Sequence, residues 1–315
     1  MESKIFKRDK CINQIVQFKG IFMLENCNLC AHNCNVNRNE KLGYCKCGIM
    51  PKCALASIHM WEEPCISYKN GSGTVFFSGC NLNCIFCQNH DISNDNYGKE
   101  ISIKRLAEIF IELQNKKVNN INLVSPTPYV PQIIEAIKIA KENGLAIPII
   151  YNTGNFENIE TIKMLDGYID VYLPDLKYFS NEVSIKYSSA PNYFNVATNN
   201  IKEMIRQVGT PTFDENGIIQ KGVIIRHLVL PSHINETKHI LIWIKENLPK
   251  ETYISIMLQY FPTYLAKNDE LINRKVSKRE FNVVKNLISE FENGYIQELS
   301  KHEEEYVPHF DLSGI

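Results

Sequence analysis

The sequence predicts an α/β fold: a partial (open) β/α barrel of about six βα units with a cysteine-rich N-terminal appendage. From about residue 73 onward, short apolar runs rich in Ile and Val alternate with segments of helical periodicity, a pattern typical of βαβ units and a parallel sheet. About six such units fit, fewer than the eight of a closed barrel. All eleven cysteines lie between Cys11 and Cys87, and eight of them lie in residues 1–70, which sets the appendage apart.

The first three predicted units follow one another closely. Their strands are expected at 74–78, 121–125 and 147–152. The helices that follow these strands are expected at 103–116, 129–142 and 159–165. Each strand is a short run of apolar, mostly β-branched or aromatic residues, whereas each helix carries apolar residues three and four positions apart.

The later units are less regular. Their strands are expected at 169–174, 222–231 and 252–258. Their helices are expected at 201–208, 236–247 and 278–292. Because functional side chains collect at the carboxyl ends of parallel strands, the segments directly after these strands are where site residues are expected.

The chain divides into three predicted parts. Residues 1–70 form the appendage, which is punctuated by Asn and Gly and does not alternate between strand and helix. Residues 71–295 form the barrel, and residues 296–315 form a tail packed on it. The length of 315 residues fits one large domain with an appendage, since a domain usually takes about 100–200 residues.

Charge and hydropathy exclude several classes of protein. The 34 basic and 35 acidic residues give a net charge of -1, so nucleic acid and membrane surfaces are not expected as partners. The polar amino terminus lacks the apolar core of a secretory signal, and no apolar run approaches the roughly 18–20 residues that span a bilayer. We therefore expect a cytoplasmic protein, whose clustered thiols indicate metal or redox chemistry rather than disulfides.

Three cysteines share one short loop directly after the first predicted strand. Cys80, Cys84 and Cys87 have the spacing C-x₃-C-x₂-C within "SGCNLNCIFCQNHDIS". A [4Fe-4S] cluster usually takes one thiolate per iron, so three thiols would leave one iron open to a substrate or cofactor. The alternative is a structural zinc site completed by a distant fourth thiol, because a closed zinc site takes four protein ligands.

This motif, with the aromatic Phe86 just before its last cysteine, resembles the radical S-adenosylmethionine (radical SAM) superfamily. The resemblance implies a [4Fe-4S] cluster on Cys80, Cys84 and Cys87, with S-adenosyl-L-methionine (SAM) bound at its open iron. It also implies an electron donor such as flavodoxin or ferredoxin. Reductive cleavage of SAM then gives methionine and a 5′-deoxyadenosyl radical, which abstracts a hydrogen atom from the substrate.

The resemblance runs from about residue 58 to the end and points to the pyruvate formate-lyase activating enzyme-like branch, in particular its PflX-type homologues. It rests on "EEPCISYKNGSGTVFFSGC" and on "NLVSPTPYVPQIIEAI", "PIIYNTGNFE", "DVYLPDLKYF" and "VIIRHLVLPSH" at successive strand ends. This branch implies hydrogen abstraction from a glycine of a partner protein, a glycyl radical enzyme. The alternatives are modification of a peptide, RNA or small metabolite, and a non-enzymatic metal-binding or electron-transfer protein.

The resemblance places SAM contacts at the ends of the next two strands. Ser125 and Thr127 stand where the superfamily has a glycine-rich segment that holds the amino group of SAM, and their oxygens can serve as acceptors. A helix-capping turn with Thr127 as N-cap is the alternative. Asn152 stands where activating enzymes place a polar residue near the methionine end of SAM, and a plain turn is the alternative.

Three charged residues complete this predicted site. Asp175 and Lys177 match a D-x-K pair of the family, in which the cation lies beside the SAM carboxylate and the acid holds a ribose hydroxyl or the amino group. A surface ion pair is the alternative. Arg226 lies inside an apolar strand, where a charge is costly unless it is paired. Its partner is either SAM or an acid of the core.

The appendage carries a second group of thiols, in "CNLCAHNCNVNRNEKLGYCKCG". Cys27, Cys30, Cys34 and Cys45 are predicted to bind a metal, because four thiolates within about twenty residues can close a zinc site or hold an auxiliary iron–sulfur cluster. The alternative is a set of reduced thiols, some packed as small apolar residues. The remaining cysteines are expected to be incidental: Cys11, Cys47, Cys53 and Cys65.

Overall fold

Ten β-strands form one sheet in residues 23–297 and 308–315, the part of the chain that this computed structural model describes. The strands are β1 (Lys52–His59), β2 (Ser72–Phe77), β3 (Lys99–Glu100), β4 (Ile121–Val124), β5 (Ile149–Thr153), β6 (Val171–Pro174), β7 (Thr212–Phe213), β8 (Ile219–Leu228), β9 (Tyr253–Met257) and β10 (Gly294–Gln297). Neighbouring strands follow the order β10-β9-β8-β6-β5-β4-β2-β1-β3, and β7 pairs with β8 outside this path.

The strands from β2 to β10 along this path are parallel, through β4, β5, β6, β8 and β9. Each successive pair is joined by a crossover that contains a helix, which agrees with the predicted count of about six βα units. The path ends in β10 on one side and in β3 on the other. The prediction of a partial, open β/α barrel is therefore confirmed.

The described residues contain nine α-helices. They are α1 (Pro64–Ser67), α2 (His90–Ser93), α3 (Ile103–Asn115), α4 (Val130–Glu142), α5 (Ile159–Met164), α6 (Asn181–Ser188), α7 (Tyr193–Val208), α8 (Ile234–Asn247) and α9 (Lys278–Ile288). α3 shows how the sequence sets their bounds: the Ser102 hydroxyl accepts a hydrogen bond from the N–H of Arg105 at 3.0 Å, which caps the first turn. Its buried residues recur three and four positions apart and face the sheet.

Four helices depart from the sequence prediction. The helices α1, α2 and α6 were not expected, and α7 begins at Tyr193 rather than at 201. The first half of α7 is rich in Asn, Thr, Val and aromatic residues, which have low intrinsic helix propensity. Tertiary contacts override that propensity, because the Tyr193 hydroxyl lies 2.9 Å from the carbonyl oxygens of Gly154 and Asp175.

The sheet also includes β1, which falls within the range expected to be rich in loops. β1 pairs antiparallel with β2, from Cys53 opposite Phe77 to His59 opposite Ser72, with an irregularity between Cys53 and Leu55. The strand is short of β-branched residues, so its composition gave little signal for a strand. The barrel sheet therefore begins about twenty residues before the first predicted strand.

Residues 308–315 lie along β1. The N–H of Leu312 donates to the carbonyl oxygen of Ala54 at 3.0 Å, and the N–H of Ala56 donates to that of Ser313 at 2.9 Å. Gly314 has φ +76°, and a Cβ at this position would lie 2.2 Å from the carbonyl oxygen of Ala56. Only glycine fits so close an approach.

Three sequence predictions fall partly or wholly outside the described residues. The predicted tail at 296–315 starts within β10, and its residues 298–307 are not described. Residues 1–22 of the predicted appendage, Cys11 among them, are not described either. None of the helices in the described ranges combines the length and apolarity needed to cross a membrane.

The inner face of the sheet is partly filled by the short helix α1. Its residues Cys65 and Ile66 share a buried apolar cluster with strand residues such as Ile150, Val171 and Ile224. The side-chain amide of Asn120 donates to the carbonyl oxygen of Ile66 at 3.0 Å, at the start of β4. The residues just before α1 therefore enter the interior of the barrel, where they reach the ends of the parallel strands.

Candidate active site

The cysteine loop begins directly after β2, at the carboxyl end of the parallel strands. Gly79 makes the turn with φ +80°, and a Cβ here would lie 2.2 Å from the sulfur of Cys47. Only glycine fits between the loop and the appendage. The three predicted ligands follow from the next residue onward: Cys80, Cys84 and Cys87.

Backbone hydrogen bonds from two segments of the barrel hold this loop. The N–H of Asn83 donates to the carbonyl oxygen of Ser188 at 3.2 Å, and that of Ile85 donates to Tyr187 at 2.9 Å, both at the end of α6. From the turn at Tyr264–Asn268, the N–H of Ala266 donates to the carbonyl oxygen of Ile85 at 2.8 Å. The loop is therefore positioned by the fold itself.

Each of the three sulfurs has a hydrogen-bond partner. Such donors stabilise a thiolate, and in iron–sulfur proteins they help to set the reduction potential. The pairs are the Leu82 N–H with Cys80 Sγ at 3.4 Å, the Ser188 hydroxyl with Cys84 Sγ at 2.9 Å, and the Ser93 hydroxyl with Cys87 Sγ at 3.2 Å.

Burial raises the pKa of all three thiols, that of Cys84 to about 11. The ammonium group of Lys177 opposes this rise at each sulfur. The free side chains are therefore thiols near neutral pH, and a metal that binds them must displace their protons. Three sulfurs on one preformed loop, each with a hydrogen-bond partner and a cation nearby, are a donor set that fits a [4Fe-4S] cluster.

A buried polar network crosses the ends of the neighbouring strands, with Arg226 of β8 at its centre. Arg226 Nε lies 3.3 Å from Asp175 Oδ1, and Nη1 lies 3.2 Å from Glu62 Oε2. Nη2 donates to Asn152 Oδ1 at 2.5 Å. Asp175 Oδ2 in turn lies 2.6 Å from the ammonium nitrogen of Lys177. The network thus runs from the segment before α1 to the cysteine loop.

Opposite charges fix the protonation of this network. Burial alone would raise the pKa of Asp175, but Lys177 and Arg226 outweigh burial and hold that pKa below its ordinary value. Burial would lower the pKa of Lys177, yet the carboxylate of Asp175 opposes burial and the pKa is raised. The Asp175–Lys177 pair is therefore ionised at neutral pH. At Glu62 burial is the largest influence and raises the pKa, while Arg226 opposes it.

The structure decides two of the alternatives for the charged residues. The side chains of Lys177 and Asp175 are only 15% and 11% exposed, so they are not a surface ion pair. Arg226 has the core acids Glu62 and Asp175 as partners, which is one of the two kinds of partner expected for it.

Ser125 and Asn152 lie next to each other at the ends of β4 and β5. The N–H of Ser125 donates to the carbonyl oxygen of Asn152 at 3.0 Å. Ser125 has φ +57°, in the left-handed region that non-glycine residues rarely adopt, and such strain is concentrated at functional sites. Its side chain is partly exposed. This position agrees with the predicted role of Ser125 as a cofactor contact at the end of the sheet.

Thr127 departs from both of its predicted roles. It lies in the 3₁₀ turn Thr127–Tyr129, and α4 has Tyr129 rather than Thr127 as its N-cap. The buried hydroxyl of Thr127 donates to Glu157 Oε1 at 2.6 Å. Glu157 also accepts from the hydroxyls of Tyr151 and Thr153. The Thr127 hydroxyl is therefore one of the donors that this buried carboxylate needs. Thr127 is not supported as a cofactor contact.

Sequence reasoning missed Glu62 and its neighbour Glu63. Glu62 Oε1 accepts from the side-chain amide of Asn122 at 2.9 Å, and Glu63 is 1% exposed. The available signal for these two buried acids was their position, because they stand next to each other before Pro64 and apolar residues follow. Buried acids need a cation, and Arg226 was the unpaired cation of the prediction.

The four cysteines predicted to bind metal in the appendage are neighbours in the structure. Cys30 is close enough to Cys27, Cys34 and Cys45 for their charges to interact. Elsewhere in the described residues, one group of three potential ligand atoms lies within 4.8 Å of one another, from His90, Asp91 and Asp95. Both of its acids are exposed, as acids without a metal often are.

Residues 74–214 match the family model of the Radical SAM superfamily. The matched segment contains the cysteine loop and the ends of β4, β5 and β6. The chain is also 33% identical, over 275 residues, to uncharacterized protein MJ0674 of Methanocaldococcus jannaschii. That alignment covers 83% of this chain and 73% of the relative.

Among solved structures, SuiB of Streptococcus suis bound to its precursor peptide SuiA is similar with a TM-score of 0.47 and 15% identity, covering 71% of this chain and 47% of that chain. Methylornithine synthase (PylB) is similar with a TM-score of 0.46 and 15% identity, covering 71% of this chain and 69% of that chain. The chain spans about half the length of SuiB.

Proposed function

Because the chain belongs to the radical SAM superfamily, whose enzymes use a [4Fe-4S] cluster and SAM, we propose that it cleaves SAM reductively and takes a hydrogen atom from a protein substrate. One observation carries this proposal. The buried, ionised pair of Asp175 and Lys177 lies at the carboxyl ends of the parallel strands and beside Cys84 of the cysteine loop.

With cluster and SAM bound, the site would supply a 5′-deoxyadenosyl radical, which is the chemistry of this family. The chain itself holds, orients and shields the reacting groups. Cys80, Cys84 and Cys87 are proposed to ligate three irons. The Leu82 N–H and the Ser188 hydroxyl stabilise the ligating sulfurs, because a hydrogen bond to a thiolate favours its charged form.

Lys177 is proposed to hold the carboxylate of SAM. A charge-assisted hydrogen bond between an ammonium and a carboxylate is among the stronger polar contacts, and more so where water is excluded. Asp175 holds the ammonium group of Lys177 in place at 2.6 Å. The carboxylate of Asp175 can also accept a hydrogen bond from the amino group or a ribose hydroxyl of SAM.

Arg226 and Asn152 are proposed as positioning residues at the methionine end of SAM. Arg226 donates to Asp175 and to Asn152 at once, so it fixes both side chains relative to the cysteine loop. Ser125, next to Asn152 and partly exposed, is proposed to offer its oxygen to the amino group of SAM.

For the substrate, we propose a glycine of a partner protein, as in a glycyl radical enzyme. The resemblance to activating enzymes at successive strand ends supports this substrate. Reductive cleavage consumes one electron, which a flavodoxin or a ferredoxin would provide. The net charge of -1 gives no support to RNA as the substrate.

The test is turnover of the anaerobically reconstituted, reduced protein with SAM. We expect 5′-deoxyadenosine to form, and Cys84→Ala to lose both the iron of this cluster and the product. Cys65→Ala, which removes a buried thiol outside the loop, is the matched control and should retain both. A fully loaded and reducible cluster that yields no 5′-deoxyadenosine would contradict the proposed activity.

The substrate class is tested by deuterium transfer. Candidate glycyl radical enzymes carrying deuterated glycine are incubated with the reduced protein and SAM, and the 5′-deoxyadenosine is analysed by mass spectrometry. Deuterium in the product supports a protein glycine as substrate. Transfer only from a labelled peptide, RNA or small metabolite would replace the glycine by that substrate while leaving the SAM chemistry intact.

A further inference from the structure

Two thiols of the appendage, those of Cys34 and Cys45, lie beside Gly43. A Cβ at Gly43 would lie 3.3 Å from the sulfur of Cys45 and 3.7 Å from the sulfur of Cys34. The two sulfurs come from segments eleven positions apart (45 − 34), so the loop between them folds back on itself. A side chain at position 43 would occupy the space beside these two sulfurs.

Backbone hydrogen bonds bring the segment of the other two thiols, Cys27 and Cys30, close to Cys34. The N–H of Cys27 donates to the carbonyl oxygen of Val36, and the N–H of Asn35 donates to that of Cys27, each at 3.0 Å. The N–H of Asn33 donates to the carbonyl oxygen of Cys30 at 3.0 Å, which closes a tight turn. Residues 27–36 therefore form a small hairpin-like loop that collects three cysteines.

The sulfurs of this group accept hydrogen bonds in the same way as those of the cysteine loop. In both groups a backbone N–H two residues further along the chain points at the sulfur. In the appendage the pairs are Leu29 with Cys27, His32 with Cys30, and Cys47 with Cys45. In the cysteine loop they are Leu82 with Cys80 and Asn89 with Cys87. Such N–H donors are suited to thiolates that ligate a metal.

A buried cation lies against this group. Arg38 is 2% exposed and donates to the backbone carbonyls of Pro128 and Gly48. Its Nε is also buried and has no hydrogen-bond partner within the described residues. A buried guanidinium is costly without a counter-charge, and metal-bound thiolates would provide one.

The spacing of the thiols indicates the kind of centre. Four thiolates on one zinc ion, each about 2.3 Å from the metal, lie about 3.8 Å apart. Within the described ranges, no three cysteine sulfurs lie within 4.8 Å of one another. Cys80, Cys84 and Cys87 share this wider spacing. A polynuclear iron–sulfur core fits it better than a single zinc ion.

We propose that Cys27, Cys30, Cys34 and Cys45 hold a second iron–sulfur cluster, ligated by four thiolates and compensated in charge by Arg38. Unlike the three-cysteine site, this one has a protein ligand for each of four irons. The cluster would also fasten the appendage, whose own apolar cluster contains little more than Leu24, Cys27 and Leu29. So small a core commonly needs a metal or disulfide staple.

The second centre would lie directly against the loop of the first. The N–H of Ala31 donates to the carbonyl oxygen of Phe156 at 3.1 Å, and His32 Nε2 lies 2.8 Å from the carbonyl oxygen of Asn81. Asn81 follows Cys80 directly. Ala31 and His32 directly follow Cys30, and the side-chain amide of Asn81 also donates to the carbonyl oxygen of Phe156 at 3.1 Å. The ligand segment of one centre therefore packs on the ligand segment of the other.

The test separates the two centres by substitution. The full chain with Cys80, Cys84 and Cys87 all changed to Ala is isolated anaerobically, and its iron, acid-labile sulfide and zinc are measured. We expect this variant to keep iron and sulfide, with the absorption and reduced-state paramagnetic signal of a cluster. In that background Cys30→Ser and Cys45→Ser should each lose them.

Cys47→Ser in the same background is the matched control. The Cys47 thiol donates to the carbonyl oxygen of Cys45 at 3.2 Å, and a hydroxyl can do the same, so the metal should remain. The wild-type chain, which needs no substitution, should hold the iron of two clusters. Zinc in place of iron, no metal in the triple variant, or loss of metal from Cys47→Ser but not from Cys45→Ser would each overturn the proposal.

Discussion

The guanidinium Nη1 of Arg226 lies 3.2 Å from Oε2 of Glu62, although the two residues are 164 positions apart in the chain. Glu62 precedes α1, inside the barrel, and Arg226 belongs to β8. The contact therefore ties the segment that enters the barrel to the strand end from which Arg226 reaches Asp175. It links the stability of the interior to the geometry of the candidate site.

Substitution of Glu62 should show this link. Glu62→Ala is expected to lower the free energy of unfolding by about 3 kcal/mol, because it leaves the buried Arg226 with one acid fewer. Glu62→Gln should cost about 1 kcal/mol, since the amide oxygen still accepts hydrogen bonds. Urea unfolding of the apoprotein measures both. The control is Glu160→Ala, at an exposed pair with Lys163, and a loss as large as that of Glu62→Ala would contradict the argument.

Lys177 should control the affinity for SAM. Lys177→Met removes the cation beside the proposed SAM carboxylate, and we expect the dissociation constant to rise at least about tenfold, or about 1.4 kcal/mol. Lys177→Arg keeps the charge and should lose less. Equilibrium dialysis of labelled SAM against the reconstituted protein gives the affinity. Lys163→Met, at an exposed lysine, should leave it unchanged, and equal affinities for all variants would remove Lys177 from the site.

The Ser188 hydroxyl should tune the cluster on the cysteine loop. It donates to Cys84 Sγ at 2.9 Å, and a hydrogen bond to a ligating sulfur stabilises the more negative, reduced cluster. Ser188→Ala should therefore shift the midpoint potential to a more negative value, as measured by anaerobic redox titration. Ser184→Ala is the matched control, because its hydroxyl lies on the same helix but donates to Asn181. A shift of equal size in both variants would assign the effect to α6 rather than to the hydrogen bond.

His227 should make folding stability depend on pH. Burial holds its pKa at about 4, below the value of 6.5 expected when unfolded. Its Nδ1–H donates to the carbonyl oxygen of Leu176 at 2.7 Å, and Nε2 accepts from the Thr237 hydroxyl at 2.9 Å, an arrangement that requires the neutral ring. The unfolded chain therefore binds a proton at higher pH than the folded chain, so this stability is complete above pH 6.5 and is lost progressively toward pH 4.

The magnitude of this effect is on the order of 3 kcal/mol. It is measured as the difference in unfolding free energy between wild type and His227→Gln across that pH range, which cancels the contribution of the carboxylates common to both. We expect the wild type to lose more stability than the variant as the pH falls. Parallel curves would show that His227 is not held neutral by its surroundings.

Local patterns were enough to predict the parts of the site that one segment supplies. The spacing of Cys80, Cys84 and Cys87, and of Asp175 and Lys177, is written in a few consecutive residues. The alternation of strands and helices is likewise local, since each run must suit its own pleat or helical face. These features do not depend on which distant segments they meet.

Long-range contacts account for what the sequence did not show. Glu62 acts on a strand 164 positions away, and no pattern around it names that partner. The Thr127 hydroxyl turns to Glu157, thirty positions later, which left its predicted role unsupported. The start of α7 depends on the Tyr193 hydroxyl and the loops it meets, because the helix propensity of its first turns is low. Tertiary packing decided each case.

The pairing of residues 312–313 with β1 has a practical consequence for anyone who prepares this protein. A strand whose backbone groups lose their partners offers a template on which other chains can add, the usual start of edge-to-edge aggregation. Removing the last few residues, or fusing a purification tag that pulls Gly314 away from Ala56, would open such a template. A purification tag placed elsewhere in the sequence should give a preparation with less aggregated protein.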